Sequence, residues 1–270
     1  MKIIISHDVD HLFNSDHLFD LFFPKMWVRE IFTYVSRRIT FREWYLRMIS
    51  PFRHNLHNID QLMSFDMAHW IPSSFFFGME NGLGMSYKKE KALPTIDKVF
   101  KNGFDVGVHG ISYDNPTNIQ DEFNKFIELV GQQSDGIRMH YVRFCKDTFY
   151  YLSNAGYSYD STEFDKEAGC CLKNPYKIGK MWEFPLCLMD SYLPYDFDKA
   201  KKRTIELLNE AKNMELDCFT VLFHDKHFCD DYAVLRNWYE WFIEYCERNS
   251  CVFISYNAMI DTLEGRLQNA

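Results

Sequence analysis

The chain has 270 residues, 47% hydrophobic and 17% aromatic, with a formal charge of −8. That length suits one large α/β domain or two small ones, the hydrophobic content supplies a full core, and with no strong linker a single domain over residues 1–270 is expected. The acidic balance argues against nucleic acid as a partner, and no apolar run approaches the ~20 residues of a membrane span. The eight cysteines form no CxxC pair, and Asp8 interrupts the N-terminus before a signal-peptide core could form, so reduced thiols and a cytoplasmic location are expected.

The first stretch, Lys2–His11, reads KIIISHDVDH. Its β-branched run predicts a strand buried on both faces. Four polar groups, His7, Asp8, Asp10 and His11, crowd its end. Packing gives no reason to bury carboxylates there. In extended chain Asp8 and Asp10 share a side, so one site can hold both, one on a metal and one as a base. Residues 12–57 read as a helical insertion. Between 21 and 57 seven basic residues stand against two acidic ones, a net of +5 interleaved with aromatics, which leaves −13 for the rest of the chain. Such a segment suits anionic lipid or a phosphate-bearing carrier. The simpler account is a helical hairpin with solvated arginines and aromatics packed on the core.

Strand and helix then alternate. Asn58–Trp70 is predicted helical and ends before Pro72, Ser74–Met79 is a strand, and Lys91–Lys101 is a helix with Gly103 as its stop. Phe104–Val108 is a strand ending in His109, with Tyr113 and Asp114 just beyond. Gln120–Val130 is a helix, Gly136–Tyr141 a strand carrying Arg138, His140 and Tyr141, and Asp147–Ala155 a helix. Tyr157–Ser161 is a strand, residues 163–180 are irregular, and Met181–Met189 is a strand with a proline, at an edge or a bulge. Lys199–Met214 is a helix, Cys218–Phe223 a strand followed by His224, Asp225 and His227, Asp231–Arg248 a helix, and Cys251–Ser255 a strand before a last helix. The period predicts a distorted (β/α) barrel of seven or eight mostly parallel strands, with the helical insertion after the first. Five strand ends carry polar chemistry on the rim where barrel sites assemble.

The order and spacing of these residues resemble the NodB-homology polysaccharide deacetylases, over about residues 1–10 and 70–260. SHDVD at 6–10 is similar to the family's first motif, which implies Asp8 as catalytic base and Asp10 as metal ligand. VGVHG at 106–110 resembles the second and implies His109 as a metal ligand. Arg138 in GIRMHY resembles the arginine that orients the base, and YDST at 159–162 resembles the fourth motif. VLFHD at 221–225 resembles the last, which implies His224 as general acid. The motif details look most like a branch from bacterial surface-polysaccharide synthesis. One departure stands out: Tyr113 occupies the position of the family's second metal histidine. Asp114 can supply an oxygen in its place, and His140 is another candidate. Asp10, His109 and Asp114 then form the expected metal set, for a divalent ion with zinc favoured by its ligand types. His140, Tyr113 and Tyr141 are expected to contact substrate. The implied activity is removal of an N-acetyl or similar acyl group from an amino sugar or oligosaccharide, nucleotide- or lipid-linked. Two alternatives are a non-catalytic carbohydrate-binding protein on a degenerate barrel, and a metal-independent hydrolase of another C–N bond.

Overall fold

The computed structural model describes residues 1–131 and 135–268. In chain order the elements begin with β1 (Lys2–Val9), α1 (Phe22–Val35), α2 (Phe41–Arg53), α3 (Ile59–Ala68), β2 (Ser74–Phe77), α4 (Lys89–Lys101), β3 (Asp105–Gly110) and α5 (Pro116–Val130). They continue with β4 (Gly136–Met139), α6 (Thr148–Ala155), β5 (Tyr159–Asp160), β6 (Tyr176–Ile178), β7 (Met181–Glu183) and β8 (Leu188–Met189). The last are α7 (Phe197–Asn213), β9 (Phe219–Leu222), α8 (Ala233–Arg248), β10 (Val252–Phe253) and α9 (Tyr256–Gln268).

Among the described residues ten strands form one curled sheet in the order β6-β7-β5-β4-β3-β2-β1-β9-β8, with β10 also on β1. Every pairing is parallel except β6 with β7. The expected α/β barrel is thus the observed architecture. Strand parity sorts the side chains. Ile3, Ile5 and Val9 of β1 pack outward with the covering helices. Ile4 faces the barrel interior with Phe76, Tyr159, Phe184 and Tyr256. Tyr256, Met259 and Leu263 of α9 belong to that inner cluster, so the last helix plugs one end of the barrel. The interior is tight: a Cβ on Gly107 would come 2.5 Å from Phe76 and 2.9 Å from the Gly136 carbonyl.

Two expectations change in detail. Met181–Met189 is two strands joined by a stretch that switches partners. The Phe184 amide donates to the Asp160 carbonyl at 2.8 Å and Leu186 to Glu163 at 2.8 Å, whereas Cys187 donates to Thr220 at 3.1 Å. Residues 184–187 therefore stitch the β5 side to the β9 side, and Pro185, which has no N–H, sits where the ladder changes hands. Within the irregular 163–180 stretch lies β6, turned back on β7 around Gly179, whose φ of 60° suits glycine. The 12–57 insertion is a helical hairpin after a short 3-10 turn, as expected. Its buried Arg47 donates to Glu30 at 3.0 Å and to the Asp231 carbonyl at 2.8 Å, which fastens α2 to the start of α8.

Candidate active site

The inward parity of β1 continues past Ile4 through Ser6 and Asp8 to Asp10, rising toward the mouth. His7, of opposite parity, faces the helices, where it bonds Asp66 at 2.9 Å and the Phe223 carbonyl at 2.9 Å. At the level of Ser6 lies Arg138, fully buried. It donates to Asp8 Oδ1 at 3.0 Å, to Ser6 Oγ at 2.8 Å, to Ser161 Oγ and carbonyl at 3.0 and 2.8 Å, and to Tyr256 Oη at 2.9 Å. Its plane lies over Phe76 at 4.6 Å. A guanidinium with this many acceptors fixes the Asp8 carboxylate rigidly. Asp8 Oδ2 is 3.7 Å from His109 Nε2.

Asp10, His109 and His140 converge one layer higher. His109 Nε2 and His140 Nδ1 each lie 3.3 Å from Asp10 Oδ1, and 2.9 Å from one another. The far nitrogens settle the tautomers. His109 Nδ1 meets the Arg138 carbonyl at 3.1 Å and His140 Nε2 meets the Leu83 carbonyl at 3.3 Å. A carbonyl only accepts, so those nitrogens carry the protons and the facing pair present lone pairs. Asp10 Oδ1 is buried and receives no hydrogen bond. Three acceptors without a donor, at 2.9–3.3 Å, match a tetrahedral ion, whose ~2.0–2.1 Å bonds set ligands about 3.3 Å apart. The donor set thus fits a divalent cation.

The third member is therefore His140, and the expected set of Asp10, His109 and Asp114 is corrected. Asp114 is exposed on the loop before α5 and lies outside the cluster. Tyr113 is half-buried, its ring under the Arg143 guanidinium at 4.7 Å and its carbonyl accepting from Thr148 at 2.6 Å, so it anchors that loop. Tyr141 is exposed in a left-handed conformation, φ 58°, and donates its hydroxyl to the Leu83 carbonyl at 3.0 Å. Tyr141 and His140 both line a cleft of about 870 Å³ with Asp10, His11 and Lys226.

Two residues were missed. Lys226 donates to Asp10 Oδ2 at 2.8 Å. Burial works against the Asp10 charge, yet the Lys226 ammonium and the His224 imidazolium hold its carboxyl well below the ordinary carboxylate range. Asp190, buried after β8, accepts from His224 Nδ1 at 2.7 Å, from the His224 amide at 2.8 Å and from His227 Nδ1 at 2.7 Å. His224 Nε2 points back to the cluster, 4.0 Å from Asp10 Oδ2. Burial alone would depress the His224 imidazole, but the Asp190 charge outweighs it and raises the pKa to about 9. In His227 burial wins and the pKa falls to about 4. One carboxylate thus holds a charged and a neutral imidazole apart. Asp190, His224 and His227 also converge, but both histidines spend their Nδ1 protons on Asp190, which makes this a hydrogen-bonded set. Asp160 lies beside Glu183 across the β5–β7 register and accepts a hydrogen bond from the Thr162 hydroxyl.

No protein-family model matches the chain, and no curated protein matches it in sequence. Its fold does have solved counterparts. A Mycobacterium smegmatis structure assigned to the polysaccharide deacetylases superimposes with a TM-score of 0.64 at 17% identity, over 98% of this chain and 90% of that one. A 4-alpha-glucanotransferase from Thermococcus litoralis superimposes with a TM-score of 0.50 at 15% identity, over 97% of this chain and 38% of that one. The resemblance to the deacetylases is borne out in fold. The same fold also carries a glycan transferase, so the chemistry must be argued from the site.

Proposed function

We propose that this chain, with the fold of the polysaccharide deacetylases, hydrolyses the N-acetyl or similar acyl amide of an amino sugar or oligosaccharide. The observation that carries this reading is the meeting, at one barrel mouth, of an arginine-held carboxylate, a three-acceptor cation site and an imidazolium. Asp10, His109 and His140 would hold the divalent ion, with zinc suited to one carboxylate and two imidazoles. When bound, such an ion polarises the acyl carbonyl and acidifies water. Asp8 acts as general base: clamped by Arg138, it takes a proton from water as the oxygen attacks the carbonyl carbon. His224 acts as general acid: Nε2 faces the cluster and donates a proton to the nitrogen as the C–N bond breaks. The products are a free carboxylic acid and an amino sugar. Tyr141, on the cleft rim, supplies a ring face for the sugar.

The test is acetate or formate release from a panel of N-acylated amino sugars. Wild-type release that disappears in Asp8→Asn and in His224→Ala, and on chelation, is the expected result. Release that persists in both variants would remove the mechanism, and no release from any member of the panel would remove the activity.

A further inference from the structure

The α1–α2 hairpin has two apolar sides where packing requires one. On α1, Phe23 and Met26 are buried against the body of the protein. On its opposite side Leu21, Val28, Ile31 and Val35 recur at helical spacing and are all exposed. Phe32 beside them is 71% exposed. On α2 the exposed side carries Phe41, Tyr45 and Phe52, the last 78% exposed, and in the loop before α1 Phe19 is 97% exposed. Exposed apolar side chains gathered in this number on one hairpin mark a partner.

Its charge says which partner. The two acids of the segment, Glu30 and Glu43, are both buried, Glu30 against Arg47 and Glu43 in the α2 capping box. The exposed charges of α1, α2 and their connection are Lys25, Arg29, Arg37, Arg38, Arg42 and Arg53, all positive. The chain as a whole carries −8. An isologous contact between two copies would set these cations against one another. An anionic bilayer complements both features: aromatic and aliphatic side chains enter the headgroup boundary and the cations meet lipid phosphates. Among the described residues no helix is long and apolar enough to cross a membrane, so the contact is peripheral.

We infer that the α1–α2 hairpin docks this protein on an anionic lipid bilayer and holds the catalytic cleft at its surface. Phe19, Phe22, Lys25 and Arg29 line the same cleft as Asp10, His140 and Lys226. The mouth therefore opens beside the docking face, placed to receive an amino sugar carried on a membrane lipid. This last step rests on the function proposed above; the docking itself does not.

The experiment is vesicle co-sedimentation of the full chain. Pure phosphatidylcholine vesicles are compared with vesicles holding about a third phosphatidylglycerol, which supply the anionic surface. Binding is expected only to the second. It should weaken more than about twentyfold in Arg37→Glu/Arg42→Glu, from the attraction of each cation near an anionic surface. It should weaken likewise in Val28→Ser/Ile31→Ser. These side chains are exposed, and hydrolysis of a water-soluble substrate should be unchanged in both variants. Equal binding to both vesicle types, binding indifferent to the charge reversal, or self-association through this face in place of lipid binding would each overturn the docking. A wild type that binds anionic vesicles yet hydrolyses nothing supports the docking and refutes the proposed function.

Discussion

Replacing Asp190 by asparagine isolates the acid half of the proposed mechanism. The change keeps side-chain volume and one carbonyl oxygen but deletes the charge shared by His224 and His227. His224 rises from an ordinary 6.5 to about 9 in spite of burial, because Asp190 lies 2.7 Å from Nδ1. A rise of that size is worth about 3 kcal/mol in favour of the imidazolium. Without it burial and Lys226 act against the charge, with only Asp10 in support, and the ring should titrate at or below its ordinary value. At pH 7.5 the protonated fraction then drops from roughly 97% to under about 10%. The direct assay is imidazole NMR across pH on metal-free protein, with the hydrolysis rate at pH 7.5 as the functional reading. We expect the His224 titration to move down by two or more pH units and the rate to fall about tenfold or more. Stability carries the same signature. Folding raises this pKa, so its stabilising contribution is whole below about pH 6.5 and is lost as pH rises through about 9. In Asp190→Asn that loss should vanish. A variant in which His224 still titrates near 9 would refute the reasoning.

Three further outcomes follow from the geometry. His140→Ala should lower divalent-ion affinity at least a hundredfold, beyond the effect typical of losing an outer-shell partner, whereas Asp114→Ala should leave it unchanged; isothermal titration with zinc compares them, and the reverse order would restore Asp114 as the ligand. Arg138→Met strands a buried Asp8 carboxylate and should cost about 3–5 kcal/mol, read as a fall in the denaturant midpoint; a midpoint equal to wild type would mean the pair is not buried in solution. Burial raises Asp160 to about 6 and, with Asp160 beside it, raises Glu183 well above the ordinary range. Both carboxyls therefore favour the folded state when protonated, and stability should decline as pH rises from about 4 through about 6. Glu183→Gln should flatten that decline between acid and alkaline thermal melts, and an unchanged slope would place the decline elsewhere.

Much of this architecture is legible in the residues. Periodicity places the helices and parallel strands, because buried strands need continuous β-branched and aromatic runs such as Ile3–Ile5 and Phe75–Phe77. Parity at Asp8 and Asp10 predicts two carboxylates on one side, and they are. The same parity holds for Arg138 on β4 and His140 just past its end, and it carries the third acceptor in place of Asp114. Proximity in sequence to His109 favoured Asp114, but the chain leaves the barrel after Gly110 and takes Asp114 out to solvent. Asp190 was hidden by treating Met181–Met189 as one strand: the partner switch at Pro185 gives that strand a second half whose end reaches the mouth. Lys226 gave little signal, since a lysine after a strand is ordinarily a solvated side chain. Only three-dimensional closure brings its amine to Asp10.

The central position of β1 has a consequence for synthesis. Its neighbours are β2, β9 and β10, so this strand waits for residues 219–222 and 252–253 before both its edges are paired. Arg138, which clamps Asp8, leans in turn on Tyr256. Contacts this distant along the chain close late. A nascent polypeptide on the ribosome can build its helices early, but the clamp that Arg138 sets on Asp8 lacks its Tyr256 support until that residue has been made.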